Sequence, residues 1–179
     1  MGVVLGLSLM AACGKPLAQR SLVGRLEARW RGAESGQIFA SAAAEWCQDR
    51  RMLEIRAIQG DTGLAVAVYA VDTIVSDSYP VLEPSRADSS HPSASLALRL
   101  FAQTSVKGYQ ADSGTVILER SGSGPISGRL TARARSVVNG DQIRLTGKFQ
   151  GVAVTPQERG CIREPPSNEA AEELDEEVD

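Results

Sequence analysis

The sequence predicts an all-β protein, a single antiparallel β-sandwich or barrel of about seven to nine strands. Three observations predict it. Apolar and polar residues alternate with period two in one segment after another. Clusters of Gly, Ser, Pro and Asp separate those segments. One hairpin can be read in register, with its turn residues and its hydrophobic pattern in agreement.

Taken in order, Leu22, Gly24, Leu26, Ala28 and Trp30 alternate with Arg25, Glu27 and Arg29, a half-buried strand that ends at Arg31-Gly32. The segment 39–50 is ambiguous. Ala40, Ala42, Ala43, Ala44 and Glu45 are good helix formers, so a short helical turn near residues 40–48 competes with a strand leading to Trp46-Cys47. Leu53 to Ala57 alternates again, and Gly60-Asp61-Thr62-Gly63 reads as the turn into Leu64 to Val71. That run is almost wholly apolar, as in a strand buried on both faces. Residues 83–93 form a long polar loop. Further strands are expected over 94–101, 115–119, 126–138 and 142–149.

The hairpin around Asn139-Gly140 carries the most detail, because Asn-Gly favours a two-residue type I′ turn. That turn sets Val138 opposite Asp141. It then pairs Ala134 with Leu145, Ala132 with Gly147 and Leu130 with Phe149 on one face. The other face opposes Arg135 to Arg144, Arg133 to Thr146, Thr131 to Lys148 and Arg129 to Gln150. Arg129, Arg133, Arg135, Arg144 and Lys148 thus gather as a candidate anion-binding patch. Glu119 on a neighbouring strand offers local relief, and a simple solvated face is the competing reading.

At 179 residues the chain suits one domain with a real core. Its formal net charge is −3, yet Glu169, Glu172, Glu173, Asp175, Glu176, Glu177 and Asp179 supply seven acids with no base among them. Without them the remainder carries +4. Pro165-Pro166 ends regular structure, and the tail is expected to be disordered.

Candidate chemistry in the body is weak. Asp61-Thr62-Gly63 and Asp112-Ser113-Gly114 carry the triplets of aspartic proteases, but the flanking residues and the short separation fit ordinary Asp-x-Gly turns. The one histidine, His91, sits in the polar loop, and no G-x-S-x-G elbow is present. Ser121-Gly122-Ser123-Gly124-Pro125 lacks the lysine of a phosphate-binding loop and reads as a hairpin connection. Asp72, Asp77, Asp88 and Asp112 show no calcium-loop spacing, and a zinc site lacks ligands. Trp30 and Trp46 fall at inward parity, where core packing is favoured over a sugar-binding face. No catalytic residue, metal, cofactor or nucleic-acid partner is expected.

The first thirteen residues carry a resemblance. An apolar run, Gly2 to Leu9, leads into Leu9-Met10-Ala11-Ala12-Cys13-Gly14, which resembles a bacterial lipobox. The resemblance implies acylation of Cys13 and a lipid-anchored, extracytoplasmic protein of the bacterial cell envelope. Without it, the segment reads as an N-terminal strand or frayed end with a buried cysteine. Lipidation would also account for the odd cysteine count and leave Cys47 and Cys161 to pair as a disulfide in an oxidising compartment; otherwise they are two free thiols. The expected organisation is therefore a signal or anchor segment (1–13), a tether (14–20), a β-sandwich domain (21–163) and an acidic tail (164–179).

Trp46-Cys47, Gly60-Asp61 and Ile126-Ser127-Gly128 also resemble features of uncharacterised β-sandwich domains in bacterial lipoproteins, a likeness that implies no known activity. The expected function is a non-enzymatic binding or structural module, held to the membrane by its anchor and facing an anionic envelope component. The alternatives are a hydrolase using Asp61 and Asp112, and a small-ligand carrier with a cavity in the sandwich.

Overall fold

The computed structural model describes residues 24–70, 72–102 and 105–157. Cys13, the tether, Leu22, Cys161 and the acidic tail lie outside them. The elements are β1 (Arg25–Gly32), β2 (Gly36–Cys47), β3 (Met52–Gln59), β4 (Thr62–Tyr69), β5 (Asp77–Pro80), β6 (Ser93–Ala102), β7 (Ser105–Arg120), β8 (Ile126–Ser136), β9 (Gln142–Val152) and β10 (Val154–Gln157).

Eight of these strands close into an antiparallel barrel, in the order β1-β9-β8-β7-β6-β4-β3-β2, with β1 and β2 completing the ring. The short β5 pairs with the second half of β7. β10 lies parallel to the last residues of β2. Closure accords with the pattern of the strands: each of the eight turns an apolar face inward, and joining the outermost strands leaves no open edge in the ring.

The apolar face points inward. Leu26, Ala28 and Trp30 of β1 meet Ile55 of β3, Leu64, Val66 and Val68 of β4, Leu98 of β6, Leu130 of β8, and Leu145 and Phe149 of β9 in one buried cluster. An eight-stranded barrel is just wide enough for side chains to fill it. Among the described residues the inward side chains are buried together in one cluster. Tyr79 of β5 is buried in the same cluster, and its hydroxyl donates to the Val75 carbonyl at 3.0 Å. Burial, aided by the nearby Asp77 charge, raises its pKa above the ordinary tyrosine value. Trp30 lies in the core, while Trp46 is partly buried against it and donates its indole N–H to Gln48.

The local structure departs from the sequence reading at four places. The alanine-rich segment is strand β2, with no helical turn. Ile38 and Ala44 point into the core, and backbone pairing with β1, β3 and β10 overrides the helix propensity of the alanines. The run from Leu64 is not buried on both faces: Leu64, Val66 and Val68 point inward, whereas Ala65, Ala67 and Tyr69 are only half-buried on the outside. β7 runs for 16 residues rather than five, because its first half is too polar and glycine-rich to read as a strand. Asp112 does not sit in a turn; it is the extra residue of a β-bulge between Ala111 and Ser113.

The hairpin register is also corrected. Ala134 faces Ile143, Ala132 faces Leu145, Leu130 faces Gly147 and Gly128 faces Phe149, a slip of two residues from the type I′ expectation. The strands are closed instead by a longer loop, Val137–Gly140, with Ser136 donating its N–H to the Asp141 carbonyl. Side chains hold that loop: the Asp141 N–H donates to the Asn139 carboxamide oxygen, and the Val138 N–H donates to the Ser136 hydroxyl. Gly140, at φ 76°, takes the left-handed conformation that lets its N–H return to the Ser136 carbonyl. Because side chains alternate with period two, a two-residue slip changes every partner and no face. The inward and outward sets stay as predicted.

Candidate functional site: an arginine row on the outer wall

The outward face of β1, β9 and β8 bears the candidate site. Pairing sets Arg31 beside Arg144 and Arg144 beside Arg133, so three adjacent strands carry three exposed arginines in one row. Directly opposed residues have Cβ atoms only ~5 Å apart, and like charges so placed destabilise a strand pair. The next row along is Arg29, Thr146 and Thr131, and the one after is Glu27, Lys148 and Arg129. Arg29, Arg31, Gly32, Arg133, Gln142, Ile143, Arg144 and Thr146 line an open depression of about 770 Å³.

Carboxylates are distributed selectively over this wall. Glu27 lies 3.3 Å from Lys148 and 3.5 Å from Arg29. Glu119 lies 3.7 Å from Arg129, and Asp112 lies 3.4 Å from Arg135. Arg31, Arg133 and Arg144 have no carboxylate partner among the described residues. Three carboxylates thus offset the four cations Arg29, Arg129, Arg135 and Lys148. Arg25, at the far end of β1, lies over the Phe39 ring, and the positive charge of the Arg31, Arg144 and Arg133 row has no such offset.

The five-residue patch read from the hairpin therefore divides. Arg133 and Arg144 remain as an unneutralised pair. Arg129, Arg135 and Lys148 belong to ion pairs, the first with the glutamate expected to relieve it. Arg135 does not face Arg144: it faces Gln142, and Arg133 takes its place. Arg31 joins them from outside the hairpin, across the β1–β9 pairing. Nothing local to the sequence says that β1 lies against β9, because that neighbour follows from barrel closure.

The other candidates are not brought together. Asp61 occupies the two-residue turn between β3 and β4, where its carbonyl accepts the Phe101 N–H. Asp112 lies two strands across and about five residues along β7 from that row, a separation on the order of 20 Å at ordinary strand spacing. Its carboxylate accepts the Ser113 hydroxyl and faces Arg135. The two aspartates are too distant to share a proton as a catalytic pair. His91 is exposed in the loop before β6. Among the described residues, no three His, Cys, Asp or Glu side chains gather as a metal site.

Cys47 ends β2 and is buried. The parallel β10 sets Gln157 beside it, which brings the chain to Cys47 four residues before Cys161. Comparison with protein families, curated proteins and solved structures finds no match for this chain.

Proposed function

We propose that this chain is a lipid-anchored, extracytoplasmic module of the bacterial cell envelope that binds an anionic partner on the outer wall of its barrel and carries out no catalysis. The observation that carries the binding role is the row Arg31, Arg144 and Arg133, left without carboxylates where Arg29, Arg129, Arg135 and Lys148 lie beside Glu27, Glu119 or Asp112. Anchoring rests on the lipobox-like segment Leu9 to Gly14 with Cys13 as the acylated residue. An oxidising compartment accords with a Cys47–Cys161 disulfide, which the approach of β10 to Cys47 favours: four residues span at most ~14 Å, enough to return a thiol to its neighbour.

Anchoring is tested by detergent phase separation of the full chain expressed with its own N-terminus. Several acyl chains contribute ~0.8 kcal/mol per buried methylene, so the wild type should enter the detergent phase almost completely. Cys13→Ser should move it to the aqueous phase. Recovery of wild type in the aqueous phase would contradict the anchor.

A further inference from the structure

We infer that the row Arg31, Arg144 and Arg133 is a binding site for a phosphate group carrying at least two negative charges, either a phosphomonoester or two phosphates in tandem. This inference rests on the reading of the outer wall as an anion-binding face and names the chemistry that face selects.

The argument begins with charge density. Three arginines sit side by side on adjacent strands, in a row about 10 Å across the backbone, and line one depression with no carboxylate partner among the described residues. A single carboxylate carries one charge and is satisfied by one planar guanidinium fork. It would leave two arginines of the row still repelling each other, and citrate, of comparable charge to pyrophosphate, spreads that charge over three separate carboxylates on a branched carbon skeleton rather than around one compact centre. A phosphomonoester dianion or a pyrophosphate presents several acceptor oxygens around a compact centre and can take donors from all three. Arginine is also the side chain best shaped for bidentate contact with phosphate.

The surroundings agree. Thr146 and Gln142 line the depression beside the arginines and supply neutral donors, while Gly32 adds no side chain to block it. Arg29, also in the lining, is held by Glu27 on its own strand and marks where the concentrated charge ends. The site is open rather than enclosed, so it suits a phosphate displayed on a larger molecule as well as a free one.

The test is titration of the full chain in detergent at low salt with inorganic pyrophosphate, using citrate as a carboxylate probe of comparable charge. Pyrophosphate should bind, and citrate at least about tenfold more weakly. Arg144→Gln, at the centre of the row, should weaken pyrophosphate binding by about tenfold or more, the scale of one charge-assisted contact. Arg144→Lys keeps the charge but not the fork and should fall between. Arg99→Gln, an equal charge change on β6, should alter binding less than about twofold. Circular dichroism of each variant checks the fold.

Vesicles distinguish the sources of the phosphate. Stronger retention of the Cys13→Ser chain, which lacks the acyl anchor, on phosphatidic acid than on phosphatidylserine at equal surface charge would identify a lipid phosphomonoester. Pyrophosphate binding without that preference would identify a soluble or polymer-borne phosphate. Equal affinity for citrate and pyrophosphate, or unchanged binding in Arg144→Gln, would overturn the phosphate site while leaving a general anion-binding face. Failure to bind any of these anions would overturn both readings.

Discussion

Replacing Phe149 by alanine should destabilise the barrel by about 3–5 kcal/mol, the cost of a large cavity in a filled core. Its ring is fully buried and lies over Gly128 of the neighbouring strand. Stability of a domain is only about 5–15 kcal/mol, so the variant should be at or near the edge of folding. Gly128→Val should be at least as damaging. A Cβ at that position would lie 2.4 Å from the Phe149 ring and 2.2 Å from the Ile117 carbonyl oxygen. The ring could be trimmed, but the carbonyl belongs to paired backbone of β7. Adding Phe149→Ala to Gly128→Val should therefore not rescue it. Urea unfolding provides the comparison, and a loss below about 1 kcal/mol for Phe149→Ala would contradict a packed lumen.

The second large effect concerns Cys47 and Cys161. A bridge between them closes a loop of roughly 115 residues, for which the chain-entropy model gives about 4–5 kcal/mol as an upper figure. Reduction, or the double change Cys47→Ala and Cys161→Ala, should lower the unfolding midpoint sharply. Peptide mapping without reductant should recover the two cysteine peptides linked. Alkylation of both thiols in denatured, unreduced protein would show that the pair does not form.

How much of this was legible can be judged from the Asn139-Gly140 hairpin. The face of each residue was correct, because burial enforces period two along the strand. The partners were wrong, because Ser136, Asn139 and Asp141 build a longer loop through side-chain hydrogen bonds that the Asn-Gly pair alone does not reveal. In β2 the alanines misled for a related reason: their helix propensity is local, whereas the pairing that overrides it comes from β1, β3 and β10. The first half of β7 was missed because Lys107, Gly108, Gln110 and Asp112 break the apolar pattern in a strand held by its neighbours.

The candidate site shows the same division. Arg133 and Arg144 were legible because one hairpin carries both. Arg31 enters only when the barrel closes and sets β1 against β9. The neutralising partners Asp112 and Glu27 were likewise hidden, the first by a bulge and the second by closure.

A double-mutant cycle on Arg133→Gln and Arg144→Gln, read by unfolding stability with and without pyrophosphate, tests the row most directly. Without anion, the two arginines should show a repulsive coupling of about 0.2–1 kcal/mol, so that removing either one relieves the other. With saturating pyrophosphate the coupling should reverse sign, because each arginine then strengthens the other's hold on a shared ligand. Coupling near zero in both conditions would contradict the account: the two arginines would be independent surface charges and not parts of one site.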